Sequence, residues 1–155
     1  MPDATLLVVW HTNSGHTQEM LDAVLAGARD PDAGDVEVRD VHALEATADD
    51  VLWAEGVILG TPAHFGYMSG ALKHFFDTSF KALETTTRGL PYALFVKGDT
   101  DTDGAVASVT RIATGMAWKE VLPPLTTTDD VDDELRAACT ELGRTMAAGL
   151  AAGVF

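Results

Sequence analysis

Basic residues are scarce in this sequence. Ten Lys and Arg stand against 24 Asp and Glu, for a net charge of −14. Sequence-independent binding to nucleic acid and to anionic membranes both need basic surface, so neither kind of partner is expected. Cysteine is nearly absent. The single Cys139 excludes an internal disulfide and a thiolate metal cluster. No apolar run is long enough to span a bilayer. The N-terminus carries Asp3 before a short apolar stretch and has no basic segment, so a signal peptide is not expected. These absences point to a cytoplasmic protein. Its acidic surface aids solubility or steers it toward basic partners. The length suits one domain over residues 1–155, and 46% apolar residues can fill its core.

The residues that are present alternate between two periods. Leu6-Leu7-Val8-Val9-Trp10 is apolar throughout, as in a strand covered on both faces. Met20, Leu21, Val24, Leu25 and Ala28 then recur at helical spacing. Val36, Val38 and Val41 suggest a more exposed edge strand, and a short helix is expected over 48–53. Gly56–Gly60 is a third strand. Ser69 can cap a helix whose buried stripe is Leu72, Phe75, Phe76, Phe80 and Leu83. Tyr92–Val96 is a fourth strand, and Val106 to Met116 mark a helix. Val121 and Leu122 form a short fifth strand ending at Pro123-Pro124. A last helix begins in the acidic run 129–134, where its dipole favours negative charge. This order predicts an α/β fold with a parallel sheet and helices on both faces. Ligands in such sheets bind at the carboxyl ends of the strands.

The loop after the first strand reads Thr12-Asn13-Ser14-Gly15-His16-Thr17 and enters a helix directly. A phosphate there meets unsatisfied amides and the positive end of the helix dipole. Hydroxyls of Thr12, Ser14 and Thr17 and the Asn13 amide add donors, and Gly15 allows close backbone approach. The loop holds no Lys or Arg, so it offers a phosphate dianion only neutral donors. The sequence has no P-loop and no dinucleotide fingerprint after the first strand. A phosphorylatable receiver would need acidic residues where His11 and Thr61 stand.

The most specific stretch follows the third strand. Residues 60–77 read Gly-Thr-Pro-Ala-His-Phe-Gly-Tyr-Met-Ser-Gly-Ala-Leu-Lys-His-Phe-Phe-Asp. Pro62, Phe65, Tyr67 and Met68 can wall a flat ring such as a flavin, and Gly66 lets the backbone approach it. This string and the Thr12–Thr17 loop resemble the flavodoxin-like superfamily, most nearly its NAD(P)H-dependent FMN and quinone reductases. The resemblance covers essentially all of the chain and is specific in these two loops. It implies the flavodoxin-like three-layer fold, with a five-stranded parallel sheet in order 2-1-3-4-5. It implies FMN, with Thr12 to Thr17 on the phosphate and Thr61, Pro62, Ala63, His64, Phe65, Gly66, Tyr67 and Met68 along the isoalloxazine. The larger quinone reductases carry tetramer-forming insertions, which find no room here. They also carry a ring-facing histidine where this chain has Thr114.

In such a fold the segment after the fourth strand faces the pyrimidine edge. Amides of Gly98, Asp99, Thr100, Asp101 and Thr102 can serve the ring carbonyls there. Asp99, Asp101, Asp103 and Gly104 also echo the start of a calcium loop, but its closing glutamate is Thr110 and a strand precedes it. No metal site is expected. Cys139 and Arg144 lie within one helix and read as structural. The expected function is electron or hydride transfer through bound FMN, with NAD(P)H as a possible donor and a small-molecule or protein redox partner. The alternative is an electron carrier without turnover of its own. The flavin carries the chemistry, with His64 the one candidate proton donor. A monomer or homodimer suits either reading.

Overall fold

The computed structural model describes residues 1–13 and 15–155; Ser14, one of the expected phosphate ligands, lies outside them. The described residues form seven strands and five α-helices. The strands are β1 (Ala4–Trp10), β2 (Val36–His42), β3 (Gly56–His64), β4 (Tyr67–Met68), β5 (Pro91–Lys97), β6 (Lys119–Glu120) and β7 (Leu125–Thr127). The helices are α1 (Gly15–Ala28), α2 (Ala48–Trp53), α3 (Gly70–Leu83), α4 (Asp103–Gly115) and α5 (Asp133–Ala152). The sheet runs β2-β1-β3-β5-β6, all parallel, with β7 also paired to β5. This is the expected flavodoxin-like order.

The apolar strands are explained by the two layers they separate. Side chains of a strand alternate between faces. Leu7, Val9, Val57, Leu59, Leu94 and Val96 therefore face one side. They meet Val51 of α2, Leu72, Phe75 and Phe76 of α3, and Val109 and Ala113 of α4. Leu6, Val8, Ile58, Ala93 and Phe95 face the other, against Met20, Leu21 and Val24 of α1 and Cys139, Leu142 and Met146 of α5. Both faces are covered, so no strand residue in the centre can be polar without cost. Strand β2 has one neighbour and begins by alternating half-buried and exposed positions, as an edge strand should. Caps fall where the sequence places them. The Leu72 amide donates to Ser69 Oγ at 3.3 Å and the Leu135 amide to Asp132 at 2.8 Å.

Two elements depart from expectation. The fifth strand is not Val121-Leu122. Those residues lie between β6 and β7, which flank Pro123-Pro124 and pair with opposite ends of β5. Two prolines offer no N–H, so the ladder breaks there. Strand β3 is also longer than expected. It continues through Pro62 to His64 and turns back into β4 as a hairpin. Among the described residues, no helix is long and apolar enough to cross a membrane.

Candidate functional site: the carboxyl ends of β1, β3 and β5

Three strand ends open onto one cavity of about 170 Å³, lined by Asn13, His16, Thr17, Pro62, Ala63, His64, Lys97 and Asp99. Its floor is the N-terminus of α1, which has no acidic residue in its first turn to neutralise the helix dipole. A Cβ built on Gly15 meets no atom within 4 Å, so the backbone there lies open. The Thr17 side chain is buried. Asn13 Nδ2 donates to His64 Nε2 at 2.7 Å and thereby ties the β1 loop to the end of β3. His16 reaches outward, with Nε2 3.8 Å from the Asp130 carboxylate.

Lys97 is the residue that reading the loops one by one did not find. It closes β5 with its side chain only 8% exposed, and Nζ donates to the Gly98 carbonyl at 2.8 Å. The expectation of neutral donors alone is thus corrected: a buried ammonium from β5 faces the α1 loop. The signal was a lysine ending a fully apolar strand. Buried lysines are rare unless an anion or carbonyl groups receive them.

The expected ring wall is only partly assembled. Pro62 and Ala63 border the cavity. Met68 does not; it is 2% exposed within the core, and its amide donates to Ser108 Oγ at 3.1 Å. Thr61 is fully buried. Its hydroxyl donates to the Pro62 carbonyl and accepts from the Ser69 amide, fixing α3 to the end of β3. Tyr67 faces a second cavity beside α4. Thr12 spends its hydroxyl on Gln18 Oε1 at 3.2 Å.

Phe65 and Gly66 form the hairpin tip. Their φ values of 53° and 70° are both positive, as type I′ turns require. Glycine adopts this readily, but a bulky residue there is strained. Phe65 is nonetheless held there with its ring fully exposed. The tip rests on α4, where a Cβ on Gly104 would stand 1.9 Å from the Gly66 carbonyl oxygen.

The β5 loop also needs one correction. The Gly98 amide donates to the Thr127 carbonyl at 2.9 Å, so it belongs to the sheet and cannot serve a ring carbonyl. Asp101 accepts from the Asp103 amide at the start of α4, and Thr102 is buried there. Asp99 and Thr100 remain exposed on the loop.

Three imidazoles line up behind the cavity. His11 lies 6.1 Å from His64 and 5.5 Å from His42, ring to ring and edge-on. Burial, and then the charges of His42 and His64, push the His11 pKa below its usual value. Its Nδ1 is buried and has no hydrogen-bond partner among the described residues. Among the described residues, no group of three or more His, Cys, Asp or Glu is placed to hold a metal ion. Cys139 sits in the core against α1, and burial raises its thiol pKa to about 11.

The sequence profile of the NADPH-dependent FMN reductases matches residues 11–125, from the loop after β1 to the start of β7. The chain belongs to that family. Members of the NADPH-dependent FMN reductase family are thus its relatives across most of the fold. A flavodoxin of Aquifex aeolicus is 43% identical over 72 residues, which are 46% of this chain and 38% of that protein. An NAD(P)H dehydrogenase (quinone) of Acidithiobacillus ferrooxidans is 34% identical over 90 residues, 46% of this chain and 45% of that protein. The matches take in less than half the length of these curated relatives. Among solved structures, an archaeal flavodoxin superposes with a TM-score of 0.79 at 20% identity, covering 94% of this chain and 98% of its own. Flavodoxin 1 of Bacillus cereus gives 0.76 at 20% identity, covering 90% and 95%. At such identities these two likenesses establish the fold.

Membership in the FMN reductase family makes FMN the cofactor, and the residues present fit it. The open α1 amides, Asn13 and Lys97 offer an anion donors and positive charge, while the cavity holds a single carboxylate, Asp99.

Proposed function

We propose that this protein is an FMN-dependent oxidoreductase that takes electrons from NAD(P)H and passes them to a flavin or quinone-like acceptor. The observation that carries this reading is the convergence of the α1 N-terminus, Lys97 and the β3 hairpin on one cavity. Asn13, Gly15, His16, Thr17 and Lys97 hold the phosphate, with Ser14 and Thr12 completing the loop. The cavity is smaller than the roughly 300–1,000 Å³ of pockets that enclose a drug-sized ligand. Pro62, Ala63, His64 and the exposed Phe65 would hold the ring at the rim of the cavity, and Asp99 and Thr100 of the β5 loop would serve its polar edge.

Bound FMN supplies the electron chemistry, and the chain's residues bind, orient and tune it. Asn13 holds His64 with Nε2 as the acceptor, which leaves the ring proton on Nδ1. The imidazole is thereby fixed at the rim, where Nδ1–H can donate a hydrogen bond, and His11 and His42 lie behind it. The unit is one domain, cytoplasmic, acting as a monomer or homodimer.

A second reading is an electron carrier. The charge of −14 supports it, as does the end-to-end likeness to flavodoxins. Anaerobic addition of NADPH, and separately NADH, to the yellow protein distinguishes the two. Bleaching of the flavin bands within seconds, followed by catalytic turnover with a quinone, supports the reductase. No bleaching with either nucleotide, with reduction in two resolved one-electron steps by dithionite, overturns it in favour of the carrier. Protein that stays colourless after FMN addition removes both readings.

A further inference from the structure

A groove on the other side of the β3–β4 hairpin has no part in the flavin cavity. It measures about 500 Å³ and is lined by Tyr67, Lys73, Gly104, Ala107, Ser108, Arg111 and Ile112. That volume falls within the range of small-molecule pockets. Gly104, Ala107, Ser108 and Arg111 recur at helical spacing and so share one face of α4.

Charge is what sets the groove apart. Arg29, Arg39, Arg136 and Arg144 each have a carboxylate within reach. Arg111 has none among the described residues, and it faces the groove with its side chain exposed. Lys73 stands opposite, its ammonium donating to Asp77 at 2.6 Å. On a chain of net charge −14, an anion is repelled nearly everywhere, so an unpaired guanidinium is the place where one can settle. Arg88, the other arginine without a carboxylate partner among the described residues, lines a cavity by Ala54 and Leu90 at the amino ends of the strands. Arg111 instead lies on α4, the helix against which the hairpin tip rests at Gly104.

The hairpin makes the groove and the flavin cavity neighbours. His64 lines the cavity, Tyr67 lines the groove, and the two are cross-strand partners. Directly opposite residues of a two-stranded ribbon lie about 5 Å apart, so the cavity and the groove adjoin along the hairpin. Tyr67 is 40% exposed, so a flat base can lie on its ring.

We propose that this groove binds the adenosine end of the dinucleotide donor, and that Arg111 selects NADPH over NADH. The two donors differ by the phosphate on the adenosine ribose. A guanidinium meets such a phosphate with two parallel hydrogen bonds, and nothing replaces them when the phosphate is absent. The inference rests on the reductase reading for its ligand, but its test does not depend on turnover.

The FMN-loaded protein is titrated calorimetrically with adenosine 2′,5′-bisphosphate and with 5′-AMP, as wild type, Arg111→Ala and Arg111→Lys. In parallel, kcat/KM is measured for NADPH and NADH. The bisphosphate is expected to bind more tightly than AMP. Arg111→Ala weakens the bisphosphate about tenfold or more, leaves AMP within about twofold, and lowers the NADPH:NADH ratio of kcat/KM to match. Arg111→Lys recovers part of the loss. Equal binding of the two nucleotides by wild type, or a preference that survives Arg111→Ala, overturns the proposal. If NADPH is oxidised and its ratio ignores Arg111, the groove is refuted and the reductase reading stands. If neither nucleotide is oxidised yet the bisphosphate binds through Arg111, the reductase reading falls and the groove stands.

Discussion

Replacing Lys97 with methionine tests how the cavity holds its anion. Methionine keeps most of the apolar stem that β5 buries and removes the ammonium. In the folded chain Nζ lies 2.8 Å from the Gly98 carbonyl and faces the cavity beside Asn13, His16 and Thr17. A hydrogen bond to a charged group contributes about 1.5–3 kcal/mol when its partner is an anion out of water. At about 1.4 kcal/mol per decade, FMN affinity should fall roughly 10- to 100-fold. The assay is quenching of flavin fluorescence as FMN is added to apoprotein. Riboflavin, which lacks the phosphate, is the control and should bind the variant within about threefold of wild type. The apoprotein loses only the bond to Gly98, about 1 kcal/mol and a few degrees of Tm. An unchanged FMN affinity refutes the role of Lys97. Equal weakening of FMN and riboflavin refutes its placement on the phosphate.

The hairpin and the imidazoles yield three more tests. Gly104→Ala drives a Cβ into the Gly66 carbonyl, so the hairpin must shift; a loss of about 1–3 kcal/mol in urea unfolding is expected. Phe65→Asn relieves the left-handed strain and should raise stability by about 1 kcal/mol while weakening riboflavin binding; unchanged riboflavin affinity removes Phe65 from the ring's surroundings. His11 is depressed below 6.5 by burial and by His42 and His64, so the unfolded chain binds its proton first. Its contribution to stability is present above 6.5 and is lost as pH falls from 6.5 through the folded value. His11→Asn should therefore flatten the drop in urea midpoint between pH 7.5 and 5.5, and a variant with the wild-type slope would show that other groups cause it.

The sequence was legible where local chemistry and burial agree. Apolar runs marked β1, β3 and β5 because helices cover both faces, and Ser69 and Asp132 mark helix starts because their side chains accept from the next turn. The loop proposed to hold phosphate stands out in the sequence because its donors are consecutive in the chain. Lys97 does not, since it joins that loop only once β5 pairs beside β3. Met68 lies apart from the cavity for a related reason. Its place in the motif suggested the ring, but residues of a hairpin alternate sides, and its side goes to the core. Val121 and Leu122 carried a strand-like pattern that the following two prolines overrode.

The break at Pro123-Pro124 bears on how copies of this chain can meet. An intact edge strand is a template on which another chain's backbone can add. Here one margin of the sheet is two short pieces parted by a segment that ends in Pro123-Pro124, two residues without amide protons, and the other, β2, carries Glu37, Arg39 and Asp40. Neither margin invites a foreign strand. Self-association through a continuous shared sheet is thereby disfavoured, and any pairing between copies falls to the helices and loops.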